Sequence, residues 1–212
     1  MRQRLEAAGR RFARLTTQVV VARPVLWRLF RRPMRRQFGS LASSWDGRMG
    51  PEGLVPLGAA LDRLGEPPRK ALDLGTGTGK AARVVARRFP DAEVVGVDLA
   101  PEMVEEAQRL LPSELAGRVS FQVADGASLP FADGSFDLVV LQNMIPFFEE
   151  LGRVTAPGGC VIFAFSRGAE TPIWVPPAKL RARLGEVGFG DVEEIAAGGA
   201  GVAVLAARAD PV

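Results

Sequence analysis

From Arg69 onward, short apolar runs alternate with stretches whose apolar positions recur at helical spacing. Runs of this kind bounded by turn signals read as strands buried on both faces, and a helical stretch between two of them makes a βα crossover. The pattern predicts strands at 71–74, 93–97, 119–123, 136–141, 160–165, 191–196 and 201–207, with helices at 80–89, 101–111 and 177–187. Gly198-Gly199-Ala200-Gly201 joins the last two runs in too few residues for a crossover, so the last strand must run antiparallel to its neighbours. The expected fold is α/β: a seven-stranded sheet, mostly parallel with an antiparallel last strand, helices on both faces, and a helical arm at the N-terminus.

In that arm Leu5, Phe12, Leu15 and Val19 fall at roughly helical spacing. After Pro24 and Pro33 a second series, Met34, Phe38, Leu41 and Trp45, recurs at four, three and four. Short amphipathic helices are the expectation, with residues 1–60 forming a basic arm or lid and 61–212 the main domain. Charge sharpens the division. Residues 1–48 hold twelve arginines against Glu6 and Asp46, a net +10, whereas 49–212 hold 15 basic and 22 acidic side chains, a net −7. The body therefore gives no reason to expect DNA. The arm admits two readings: a collar packed on the domain with a solvated arginine face, or a surface for an anionic membrane or RNA. Arginines interrupt any secretory apolar core, and no run approaches the 18 apolar residues of a spanning helix. A cytoplasmic protein is expected, with peripheral membrane attachment through the arm left open.

Composition removes whole classes of chemistry. Of 212 residues none is histidine or tyrosine, and Cys160 is the single cysteine. Zinc, haem and non-haem iron sites built on those ligands are excluded, so no metal is expected, as are Ser-His-Asp and Cys-His catalysis. Any general base must be Asp, Glu, Lys or Cys. Cys160 lies inside an apolar run and reads as inert core. Glu149 and Glu150 are candidate bases but fit an exposed helix face as well.

The first strand runs into Leu72-Asp73-Leu74-Gly75-Thr76-Gly77-Thr78-Gly79-Lys80 and then a helix. Alternate glycines let the chain turn tightly and a ligand approach the backbone, while the helix start offers unpaired N–H groups. A P-loop would need glycine at 74 and Ser or Thr at 81, where Leu74 and Ala81 stand. A dinucleotide fingerprint would need Gly or Ala in place of Lys80, though Asp98, 19 residues beyond Gly79 at the end of the second strand, suits a ribose in either setting.

The segment from Asp73 to Gly79 resembles the first motif of the class I S-adenosylmethionine-dependent methyltransferases. Val123-Ala124-Asp125-Gly126-Ala127-Ser128-Leu129-Pro130-Phe131 resembles the third, Phe136-Asp137-Leu138-Val139-Val140-Leu141-Gln142-Asn143 the fourth, and Leu151–Gly159 the turn into the fifth strand. Order and spacing match over residues 69–208, which implies a Rossmann-like sheet and S-adenosyl-L-methionine as cofactor. On that resemblance Asp73 orients the methionine end and Gly75, Thr76, Gly77 and Gly79 admit the cofactor against the backbone. Asp98 takes the ribose, and Leu99 and Met103 flank adenine. Asp125 reads the adenine amine beside Gly126 and Ala127, and the carbonyls around Leu141 and Gln142 receive the methionine amino group.

The acceptor side is less explicit. Only Gln142–Ala156 separates the fourth strand from Pro157, so that side is pared down. Trp45, Asn143, Phe147 and Trp174 are the expected acceptor-pocket residues, an aromatic enclosure with one amide handle. The family's Asn-Pro-Pro-aromatic motif is absent, since Met144 and Ile145 follow Asn143. The expected reaction is methyl transfer to oxygen or carbon of a small apolar or aromatic molecule. The alternatives are an RNA- or lipid-associated methyltransferase using the arm, or a non-catalytic cofactor-binding module.

Overall fold

In the computed structural model, which describes residues 2–48 and 50–209, seven strands form one sheet in the order β3-β2-β1-β4-β5-β7-β6. They are β1 (Lys70–Leu74), β2 (Glu93–Asp98), β3 (Val119–Val123), β4 (Phe136–Gln142), β5 (Thr155–Phe165), β6 (Phe189–Ala196) and β7 (Val202–Arg208). The first five pair in parallel, with Asp73 level with Gly96 on one side and Val140 on the other. β7 lies between β5 and β6 and runs antiparallel to both, as its short hairpin requires. β5 starts at Thr155, earlier than residue 160, because Thr155 pairs with Phe136 ahead of an irregularity in the ladder. Chain direction along the sheet reverses between β1 and β4, which opens a crevice at their carboxyl ends.

Period-two alternation divides the core. Ala71, Leu138, Val140, Ile162 and Ala164 point to one face, which is covered by α4 (Val55–Leu61), α5 (Lys80–Arg88) and α6 (Pro101–Arg109). Leu72, Leu74, Val139, Leu141, Val161 and Phe163 point to the other, covered by α7 (Phe148–Val154) and α8 (Pro177–Gly185). Full burial of such side chains contributes about 1.5–3 kcal/mol each. A boundary at residue 60 would fall inside α4, whose Leu57, Ala60 and Leu61 belong to the sheet's core.

The arm comprises α1 (Arg2–Ala22), α2 (Trp27–Gly39) and the single turn α3 (Ala42–Trp45). Its packed face differs from the expected stripe. Ala13, Thr16, Thr17, Val20 and Val21 are buried, while Leu15 is 53% exposed and the side chain of Leu5 lies outside the described residues. Small side chains let α1 lie close against the body. Phe12 turns instead toward α2, its ring 6.1 Å from that of Phe30. Pro33 does not break the chain as expected: it sits exposed within α2, because Trp27, Phe30, Met34 and Phe38 continue one apolar face across it. Ala13, Val20, Trp27 and Met34 pack on Ile145, Phe147 and Ile173, and the Arg14 guanidinium donates to the carbonyls of Ala169 and Thr171.

Candidate functional site

The loop after β1 is held open by three glycines in the left-handed region, Gly75 (φ 77°), Gly77 (φ 53°) and Gly79 (φ 80°). Side chains would be strained there and would meet neighbours: a Cβ on Gly77 would stand 3.2 Å from the Trp45 indole nitrogen. The amides of Gly75 and Thr76 donate to the Val97 carbonyl, which ties the loop to β2. Beneath it lies Asp73, fully buried. Its Oδ2 accepts from the Thr76 hydroxyl (2.6 Å) and the Ala82 amide (2.9 Å), while Oδ1 has no partner. Loss of water pushes the Asp73 carboxyl up to about 6, against the smaller opposing pull of those two hydrogen bonds.

At the tip of β2, Asp98 Oδ2 accepts from the Gly77 amide (3.0 Å) and Oδ1 from the Ala100 amide (2.9 Å). Burial raises this carboxyl too, with the backbone amides of Ala100, Gly77 and Leu99 pulling the other way. The residue therefore tethers the glycine loop and the start of α6 together.

Asp125, beyond β3, is gripped by the arm. Its Oδ1 accepts from the Trp27 indole N–H (2.8 Å) and the Ala127 amide (3.0 Å), and Oδ2 from Arg31 (3.3 Å). Asp46 makes a second anchor: the Thr78 hydroxyl donates to its carboxylate (2.5 Å) and the Lys80 ammonium to its carbonyl (2.6 Å). Neither arm contact carries a local sequence signal, since each joins residues far apart in the chain.

β4 ends in Gln142, whose amide donates to the Gly53 carbonyl (3.2 Å) while Oε1 is buried without a hydrogen bond. Asn143 follows with φ 53°, a conformation its short amide side chain tolerates. Its Oδ1 accepts from the Ser166 amide (3.0 Å) and its Nδ2 donates to Ser166 Oγ (3.1 Å), which clamps the ends of β4 and β5 together.

These ends enclose a cavity of about 600 Å³, within the usual range for small-ligand sites. Of the residues expected at the cofactor, Gly75, Thr76, Gly77, Asp98, Leu99, Met103, Gly126 and Gln142 line it. Asp73 lies under the loop, Gly79 ends it as the N-cap of α5, Asp125 and Ala127 flank Gly126 outside the lining, and the Leu141 side chain is in the core. Of the acceptor-side residues only Trp45 and Asn143 reach the cavity. Phe147 is turned the other way, packed edge-on to Trp27 at 5.2 Å, and Trp174 packs edge-on to Phe165 at 4.8 Å. Glu52, Asn143, Ser166 and Arg167 line the same cavity beside the apolar Met144 and Ile173. Trp27, Met34, Arg35 and Phe38 of the arm complete the wall; Met34 and Phe38 belong to the helical series read in the sequence, whereas no local pattern singles out Trp27 or Arg35. Glu149 and Glu150 are outside it. Glu150 clamps Arg153 (2.7 Å), which holds its carboxyl below the usual range, and Glu149 faces Arg183. Burial raises the Cys160 thiol, in keeping with an inert residue within β5. Among the described residues no group of His, Cys, Asp and Glu is arranged to hold a metal ion.

A loop of left-handed glycines, a carboxylate at the next strand tip and a small-residue wall at Ala124 and Gly126 define a nucleoside-cofactor cleft on a doubly wound sheet. Comparison narrows the class. Residues 71–159 match the model of the methyltransferase domain. Malonyl-[acyl-carrier protein] O-methyltransferase of Halorhodospira halophila is 40% identical over 155 residues, 66% of this chain and 50% of that protein. Demethylmenaquinone methyltransferase of Thermus thermophilus is 43% identical over 107 residues, 47% of this chain and 48% of that protein. An S-adenosylmethionine-dependent methyltransferase from Aquifex aeolicus superposes with a TM-score of 0.64 at 19% identity, over 80% of this chain and 98% of that one, and so shares the fold. Residues 71–159 thus carry a methyltransferase domain, on the fold of the class I S-adenosylmethionine-dependent methyltransferases. The chain spans about half the length of the curated relatives it matches.

S-adenosylmethionine is the cofactor of that family, and the residues present fit it. The glycine loop leaves the space an adenosyl group needs. Asp98 lines the cleft with a carboxyl that burial raises, an edge suited to a hydrogen-bond-donating ligand.

Proposed function

We propose that this chain transfers the methyl group of S-adenosylmethionine to an oxygen or carbon atom of a small, mainly apolar molecule. The observation that carries this reading is the single cavity in which the glycine loop, Asp98, Gln142 and Asn143 meet a half-apolar, half-polar acceptor end. Relatives named for menaquinone precursors and for a malonyl group on a carrier protein support a carbon or oxygen acceptor.

When bound, the cofactor supplies a sulfonium methyl that is already electrophilic, so the protein's task is placement. Asp98 accepts the ribose hydroxyls, with Gly77 and Ala100 holding its carboxylate in orientation. Asp125, fixed by Trp27 and Arg31, receives the adenine amine. Gly75 and the β4 end at Gln142 frame the methionine moiety, and Asp73 sets the loop through Thr76 and Ala82. Met144 and Ile173 exclude water from the acceptor, and the Asn143–Ser166 clamp fixes the floor on which it rests. Holding two reactants at attack distance supplies up to about 7–11 kcal/mol. Where a hydroxyl is methylated, Glu52 takes its proton, because it lines the cavity and its carboxylate has no hydrogen bond or ion pair among the described residues.

The test is transfer of labelled methyl from S-adenosylmethionine to a panel of demethylated quinones, phenols and carrier-bound malonyl groups, alongside calorimetry with S-adenosylhomocysteine. Labelled product together with saturable binding is expected. Absence of S-adenosylhomocysteine binding by the full chain would overturn the reading.

A further inference from the structure

The arm has two faces, and only one is used by the cavity. Among the described residues five large hydrophobic side chains are exposed, and three of them, Leu15 (53%), Val25 (66%) and Leu29 (62%), are on the arm. The pairings of Gly9 with Gln37 and of Phe12 with Phe30 set α1 and α2 antiparallel, so these three residues gather at the end of the hairpin where the chain turns. Helical spacing puts Leu15 with Arg11 and Ala22 on the side of α1 opposite Ala13, Thr17 and Val20. It puts Leu29 with Arg32 and Arg36 on the side of α2 opposite Trp27 and Met34.

The guanidinium groups around this apolar tip are uncommitted. Arg14 and Arg31 are spent on the body, but Arg11, Arg23, Arg28, Arg32 and Arg36 are exposed and have no acidic partner among the described residues. The only acids of residues 1–48 are Glu6 and Asp46, and Asp46 is engaged at Thr78 and Lys80. Aliphatic tips ringed by arginine with no acid between them match a bilayer with anionic headgroups: the side chains enter the acyl boundary and the charges meet phosphates. Single-stranded RNA fits less well, because bases stack on exposed aromatic rings and no aromatic is among the large exposed hydrophobics. Two-fold pairing of this face with its copy would set one strongly basic face against another.

We infer that the outward face of the α1–α2 hairpin docks the protein on an anionic lipid surface. The inward face of α2 walls the cavity through Trp27, Met34, Arg35 and Phe38, so docking brings the cavity within about one helix diameter, 10–12 Å, of the lipid. This inference does not depend on which molecule is methylated.

Vesicle flotation of the full chain at physiological salt tests it, with phosphatidylglycerol-containing vesicles against pure phosphatidylcholine. Binding to the anionic vesicles alone is expected. Loss of each arginine lowers partitioning about fivefold, so Arg32→Glu with Arg36→Glu abolishes flotation, and Leu15→Ser with Leu29→Ser weakens it while S-adenosylhomocysteine affinity stays unchanged. No flotation with anionic vesicles, flotation unaffected by either pair of substitutions, or displacement from vesicles by single-stranded RNA at equal charge concentration would each overturn the inference.

Discussion

Asp73→Asn isolates the electrostatic cost of the loop's buried support. In the folded chain the Asp73 carboxyl titrates at about 6 rather than 3.8, because burial disfavours its charged form. The native state therefore binds this proton more tightly than the unfolded chain, and stability declines as pH rises through the interval between the two values. A shift of about two units corresponds to roughly 3 kcal/mol, most of it expressed between about pH 4 and pH 7. Asparagine keeps an oxygen for the Thr76 hydroxyl and the Ala82 amide and places an uncharged NH₂ where Oδ1 has no partner. That orphan donor costs about 1–3 kcal/mol at every pH, so the slope and not the absolute stability is diagnostic. Asp98, raised like Asp73, and Glu150, lowered by Arg153, tilt both profiles alike and largely cancel in the difference. Urea denaturation of both proteins across this range, without cofactor, is the assay. The native chain is expected to lose about 3 kcal/mol relative to the variant as pH rises. Parallel profiles would refute the claim that Asp73 is a buried charge in the free protein.

Trp27→Phe keeps the ring against Phe147 but removes the N–H that holds Asp125, so calorimetry is expected to show S-adenosylhomocysteine affinity falling about two- to tenfold with little change in Tm. Unchanged affinity would make that hydrogen bond purely structural. Asp98→Asn replaces a charged acceptor with a neutral one and turns an NH₂ toward Gly77 or Ala100; binding is expected to weaken about tenfold or more, and full affinity would remove Asp98 from the site. Gly96→Ala would place a methyl 2.5 Å from Phe121 and 2.7 Å from the Thr76 hydroxyl, and a loss of about 1–3 kcal/mol in urea is expected from overpacking. A neutral result there would mean that β2 and β3 can separate without penalty.

The strands were legible because each apolar run carries its own period and its own turn signals. The hairpin before β7 was legible because four residues cannot cross a sheet. Asp98 and the glycine loop could be placed for the same reason, since a strand end fixes where the next residues stand. The arm was read less well. Leu15 matches the helical period, yet the buried stripe is Ala13, Thr17 and Val20, because close approach to the body selects small side chains over large ones. Phe147 and Trp174 are aromatic residues beside the cavity in sequence, but one peptide step decides whether a ring faces the cavity or the core, and both face the core. The contacts of Trp27 with Asp125 and of Asp46 with Thr78 join distant segments, so no local pattern announces them.

Part of the arm's seat lies late in the chain: Arg14 reaches a carbonyl 155 residues downstream. On the ribosome the arm's helices thus emerge well before the segments around Ala169 and Ile173 on which they pack. A nascent polypeptide halted before Ile173 is expected to present those arginines and leucines without a body to cover, cleavable by added protease, whereas the released product resists. For these contacts assembly waits on translation, and the arm's seat on the cofactor chamber is completed only when that late segment is in place.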